Sequence, residues 1–216
     1  MYKSAVPSAV LRAIFPVKPS VTTTSTNPLG ISFPSVPAFY VMAMQYVKKD
    51  FSWAEFGTFK GVSARIFLQF LPQNKNFYLF DSFEGLPEEW ADSKREEISP
   101  AGTFAREVPE FNDPRAIVKV GWFEDTISPF IKEYKEKGLS FIHVDCDLYS
   151  STKTVLNGVK DLITPETVLI FDEFGGVLRH QEHEYKAFEE FVLENNLEPE
   201  YLCSEKSNTR VALRLK

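Results

Sequence analysis

Carboxylates gather at the ends of short apolar runs in this 216-residue chain. One run leads into Asp145-Cys146-Asp147-Leu148-Tyr149-Ser150-Ser151-Thr152, and another, Val168 to Phe171, leads into Asp172-Glu173-Phe174-Gly175-Gly176. If those runs are neighbouring strands, their acids emerge side by side. Like charges at that proximity repel, so a bound cation or a shared proton is expected between them. An all-oxygen donor set favours Mg2+, Ca2+ or Mn2+ over zinc. The blander alternative is an acidic rim whose members cap helices. His143 lies inside the run before Asp145, the place of a packed core histidine. His180, His183 and Glu184 have loop-to-helix spacing and read as a solvated helix start near the site.

Upstream, Glu55-Phe56-Gly57-Thr58-Phe59-Lys60-Gly61-Val62-Ser63 joins a strand to a helix. Two glycines four apart let the backbone turn sharply and approach a ligand, and the helix start offers free N–H groups to an anionic portion. The spacing is E-x-G-x-x-x-G, which departs from the G-x-G-x-x-G of dinucleotide-binding folds. Asp81, in Asp81-Ser82-Phe83-Glu84-Gly85-Leu86-Pro87, ends the next strand 20 residues past Gly61 (81−61). An acid there is placed to accept hydrogen bonds from ribose hydroxyls, or else to cap its own turn. A third strand ends at Gly121-Trp122-Phe123-Glu124-Asp125-Thr126, where Trp122 and Phe123 suit either an adenine sandwich or the core.

Five runs fit buried strands: Ser52–Phe56, Phe77–Phe80, Ile117–Val120, Ser140–Val144 and Thr167–Phe171. Helical patterns follow at Val62–Leu71, Thr126–Glu136, Thr152–Ile163 and Glu182–Asn195, and Glu200–Cys203 with Val211–Leu215 reads as a closing hairpin. Strands alternating with helices imply an α/β fold with a mostly parallel sheet covered on both faces. Ligands in such sheets bind outside the carboxyl ends of the strands, where all these motifs fall. Residues 1–37 carry six of the fourteen prolines around a Ser/Thr run and read as an extended arm; residues 38–216 form the domain, opening with a helix over Val36–Lys49. The charged, proline-bearing stretch Pro87 to Pro114 reads as a functional loop or lid.

Composition narrows the partners. Hydrophobic residues at 44% and charged residues at 25% exclude a globally disordered chain. A net charge of −6 argues against a broad basic face for nucleic acid. Cys146 and Cys203 form no CxxC pair, so neither a disulfide framework nor a thiolate zinc site is expected, and the usage suits a cytoplasmic protein. No run reaches the ~18 apolar residues that span a bilayer, so no membrane partner is expected.

The glycine loop Glu55 to Ser63, the strings D-S-F-E-G-L-P and D-C-D-L-Y-S-S-T, Gly121 to Thr126, Asp172-Glu173-Phe174 and His183-Glu184-Tyr185-Lys186-Ala187-Phe188 resemble the macrocin O-methyltransferase family of class I S-adenosylmethionine-dependent methyltransferases. The match runs in order from about residue 50 to 216. It implies a Rossmann-like seven-stranded sheet with an antiparallel last strand. It implies methylation of a hydroxyl on a sugar or natural-product-like small molecule, frequently with Mg2+. By position, Glu55, Gly57, Thr58, Gly61, Ser63, Asp81, Ser82, Trp122 and Phe123 would hold adenosylmethionine, and Asp145, Asp172 and Glu173 a metal. Glu173 stands where many members have Asp. Asp145 is the expected proton acceptor, and a homo-oligomer is compatible. Two alternatives are a metal-dependent glycosyltransferase using Asp145-Cys146-Asp147 as a DxD motif, and a non-catalytic adenosylmethionine-binding module. The former leaves the glycine loop and Asp81 without a role.

Overall fold

The computed structural model describes residues 31–92, 97–175 and 182–216. The expected apolar runs form β2 (Trp53–Phe56), β3 (Phe77–Asp81), β6 (Ala116–Val120), β7 (Phe141–Val144) and β8 (Val168–Phe171). All five run parallel, in the spatial order β8-β7-β2-β3-β6. β2, β7 and β8 are buried at every position, as central strands between two helical layers must be.

The helices are α1 (Val36–Ala43), α2 (Val62–Phe67), α3 (Phe123–Glu133), α4 (Tyr149–Val159) and α5 (Glu184–Glu194). Strand residues of one parity, Trp53, Phe77 and Phe141, pack with α1 and α2. The other parity, with Ala54, Phe56, Ile142 and Val144, packs with α3, α4 and α5. Trp53 therefore belongs with Glu55, and Phe141 with His143, on the α1/α2 side.

The closing hairpin is β9 (Pro199–Glu205) and β10 (Val211–Leu215). β10 runs antiparallel to both β8 and β9, so the last strand inserts antiparallel between them. The sheet has eight strands where seven were expected. The extra one is β1 (Ile31–Phe33), which adds to the edge of β9 in parallel. It is only three residues long and lies between Pro28 and Pro34, so its one strong anchor, the buried Phe33, carries no readable alternation. The rest of the expected arm, residues 1–30, lies outside the described residues. No helix among the described residues is long and apolar enough to cross a membrane.

The 87–114 stretch contains a two-stranded ribbon, β4 (Trp90–Asp92) with β5 (Glu97–Ser99). Its return path is tied to the loop after β3: Leu86 N–H donates to Thr103 O, Gly102 N–H to Leu86 O and Arg106 N–H to Phe83 O.

Candidate active site

The sheet reverses its winding between β2 and β7, and the carboxyl-end loops diverge there to leave a crevice. Gly57 turns the chain at φ +93° directly after β2. A Cβ at this position would lie 1.7 Å from the main-chain oxygen of Asp145, so only glycine lets the two strand ends approach. The approach is held by Asp145 N–H donating to Phe56 O and Gly57 N–H donating to Phe80 O.

Asp81 organises the same turn. Its Oδ2 accepts the N–H groups of Thr58 (2.9 Å) and Phe59 (2.7 Å), and its Oδ1 accepts that of Phe83 (2.7 Å). Capping is therefore real, and it leaves Asp81 in the wall of a cavity of about 230 Å³. Gly57, Asp81, Ser82, Trp122, Phe123 and Asp145 share that wall, joined by Leu86, Phe104, Gly121, Glu124, Cys146, Asp147 and Ser151. At the rim, Phe59 meets Phe104 edge to face at 5.5 Å and carries the Arg106 guanidinium over its ring at 4.7 Å.

A cavity framed by the ends of β2, β3, β6 and β7, with an acid at the second, lies where open α/β sheets take their ligands. A family model described as methyltransferase domain matches residues 54–174, more than half of the chain. The chain belongs to this methyltransferase family. It is an adenosylmethionine-dependent methyltransferase. Among solved structures, the calicheamicin methyltransferase CalS11 superposes with TM-score 0.61 at 21% identity, over 82% of this chain and 76% of that one. The O-methyltransferase NovP gives 0.58 at 17%, over 82% and 76%. An O-methyltransferase from Bacillus cereus in complex with SAH gives 0.50 at 14%, over 100% and 91%. At these identities the likeness is one of fold. No curated protein matches the chain.

Several expected site residues of this methyltransferase sit behind the cavity wall. Glu55 is fully buried on the α1/α2 side, where its Oε2 lies 2.9 Å from His143 Nδ1. Burial raises its pKa, against the lowering effect of His143. Thr58 is buried with its N–H spent on Asp81, while Gly61 and Ser63 start α2 outside the cavity wall. Arg65 fixes that helix start, donating to Lys60 O, Gly61 O and Glu110 O.

The acids expected to form a metal site separate into different surroundings. Asp145 is half-buried in the cavity wall, and burial followed by the neighbouring Asp172 charge raises its pKa well above the ordinary carboxyl value. Asp172 is turned to the α1 side. Its Oδ1 accepts from Arg210 Nε (2.6 Å) and from the Tyr40 hydroxyl (2.7 Å), and its Oδ2 accepts from Arg210 Nη2 (2.5 Å). His143 Nε2 stands 3.6 Å from Asp172 Oδ1. Burial alone would raise the Asp172 pKa, but His143 and Arg210 hold it below the usual range. His143 in turn is pushed up to about 10: burial lowers its pKa, and Asp172 and Glu55 more than reverse that. It is a core histidine, as its place in the strand suggested.

Among the described residues, Asp145, Asp172 and His143 offer donors close enough together to share an ion, a group that does not include Glu173. The set does not fit Mg2+. Both oxygens of Asp172 are already engaged by a guanidinium, and His143 Nδ1 is paired with Glu55. A positive charge beside the paired strand-end acids comes from Arg210.

Glu184 corrects the sequence reading of a solvated helix start. It is fully buried, and its carboxylate accepts the N–H groups of Cys146 (2.9 Å), Asp147 (3.2 Å) and Glu173 (3.0 Å), clamping both acidic loops from α5. Burial pushes its pKa up to about 8. His180 lies outside the described residues. Between the ordinary Glu value of ~4.3 and about 8, the folded state keeps a proton that the unfolded chain releases, so stability falls as pH rises through that window. Denaturant titrations from pH 5 to 8 should show this fall, at most about 1.4 kcal/mol per pH unit, and Glu184→Gln should flatten it.

Sequence reasoning passed over Arg210 and Tyr40 and read Glu184 as part of a solvated helix start. Arg210 reaches Asp172 through strand pairing. The antiparallel register pairs Val211 with Phe171, so the residue before β10 falls opposite the residue after β8.

Proposed function

We propose that this methyltransferase transfers the methyl group of S-adenosylmethionine to a hydroxyl of a sugar or natural-product-like small molecule, in the manner of the macrocin O-methyltransferase family. The single observation that carries the reading is the placement of Asp145 in the wall of the cavity that also holds Gly57 and Asp81. Sequence strings and fold support it together: CalS11 is described as a TDP-rhamnose 3'-O-methyltransferase in calicheamicin biosynthesis.

In this reading the donor lies across the ends of β2, β3 and β6. Its ribose hydroxyls donate to Asp81, whose oxygens keep acceptor capacity beyond three backbone N–H groups. Its adenine lies by Trp122 and Phe123, and its methionine portion by the Gly57 turn. The acceptor oxygen attacks the methyl carbon in line with the carbon–sulfur bond, whose electron pair leaves with sulfur to give adenosylhomocysteine. Alignment supplies much of the acceleration. The hydroxyl proton passes to a carboxylate oxygen of Asp145, whose raised proton affinity suits a general base. No step is routed through a metal, because Asp172 is engaged by Arg210.

The glycosyltransferase alternative gives way to the methyltransferase family membership. Thermal denaturation with adenosylmethionine and, separately, with nucleotide sugars tests the donor. Adenosylmethionine at ~100 times its Kd should add about 2.7 kcal/mol of stability, and nucleotide sugars should add none. Stabilisation by nucleotide sugars alone would sink the reading. Adenosylhomocysteine release with an acceptor separates an enzyme from a binding module.

A further inference from the structure

We propose that Arg210 takes the place of a divalent ion at the strand-end acids, closing the site to metals, so that this enzyme transfers its methyl group without one.

The guanidinium grips Asp172 with two parallel hydrogen bonds, Nε to Oδ1 at 2.6 Å and Nη2 to Oδ2 at 2.5 Å. This fork-on-fork arrangement is the strong form of the pair, and arginine does not lose its charge in a protein. The Tyr40 hydroxyl takes a further lone pair of Oδ1 at 2.7 Å. The pair is also withdrawn from water, with 7% of the Asp172 side chain and 21% of the Arg210 side chain exposed, so solvent screens it weakly. A divalent ion on Asp172 could reach only the one lone pair left on Oδ2, and there it would stand beside the guanidinium Nη2. Like charges so close, with so little water between them, repel strongly.

The two acids are thereby divided. Asp172 is locked as the partner of Arg210, while Asp145 faces the cavity. Arg210 is a positioning residue in this scheme. It neutralises Asp172 and fixes the end of β8 against β10, and Asp145 is left to take the acceptor proton. The inference rests on that proposed role of Asp145, but metal binding is measured with neither acceptor nor donor, so the two ideas can fail separately.

The test is a Mn2+ titration of the full chain, followed by the electron paramagnetic resonance signal of free Mn2+. Wild type should leave the signal unchanged to millimolar concentrations. Arg210→Gln frees the carboxylate and should bind Mn2+ at least about tenfold more tightly than wild type. Adding Asp172→Asn should remove that gain, and Arg210→Lys, which keeps the charge, should behave as wild type. Adenosylhomocysteine binding checks that each variant is folded. A micromolar Mn2+ site in wild type that Asp172→Asn or Asp145→Asn abolishes would overturn the proposal. So would a folded Arg210→Gln with no gain. If Arg210→Gln does not fold, the wild-type titration beside Asp172→Asn decides alone.

Discussion

Replacing Gly57 with alanine is expected to cost the protein its methyl donor. Two independent penalties meet at this position. The backbone sits at φ +93°, which an L side chain rarely adopts, and the new Cβ would be 1.7 Å from the oxygen of Asp145. That oxygen is main chain and cannot rotate aside, so β2 and β7 must separate at their carboxyl ends. Separation breaks the Asp145 N–H bond to Phe56 O and shifts the Thr58 and Phe59 N–H groups off Asp81. A stability loss on the order of 2 kcal/mol or more is expected, with adenosylmethionine affinity falling about 100-fold. Calorimetric titration and a denaturation curve check both. A folded Gly57→Ala protein with wild-type affinity would place the donor elsewhere.

The second large effect belongs to Asp145. Asp145→Asn keeps the size and removes the proton acceptor, so turnover should fall by about 10² to 10⁴. Adenosylmethionine affinity should hardly change, because the proton comes from the acceptor and not from the sulfonium. The pH dependence adds a signature. Burial and the Asp172 charge raise the Asp145 pKa, so activity in wild type should rise with pH along a limb displaced above the ordinary aspartate value of ~3.9. That limb should vanish in Asp145→Asn. An equal loss in kcat and in donor affinity would instead mark Asp145 as a binding residue.

The sheet could be read from the sequence because buried parallel strands are written as unbroken apolar runs, and the five central strands fall within a residue of their expected ends. Turn glycines and terminal acids marked the crevice for the same reason: Gly57 and Asp81 act through the backbone, which sequence spacing reports directly. Side-chain direction was harder to read. Glu55 was expected to hold the donor, yet it shares strand parity with Trp53 and so turns to His143 under α1 and α2. Asp172 likewise looked like a cavity acid beside Asp145. Its partner Arg210 lies 38 residues on, and its partner Tyr40 132 residues back, beyond any local pattern. Glu184 opens a helix, where acids are commonly exposed, and only the tertiary packing of α5 over two loops makes it a buried clamp. β1 escaped notice because three residues between prolines carry no period.

Transfer of a labelled methyl group from adenosylmethionine to a panel of sugars and natural-product scaffolds with free hydroxyls tests the proposed chemistry most directly. Label on a hydroxyl oxygen of at least one acceptor is expected with wild type, with Asp145→Asn remaining near background. Label accumulating only on acceptors whose hydroxyls are blocked, or undiminished transfer by Asp145→Asn, would contradict it.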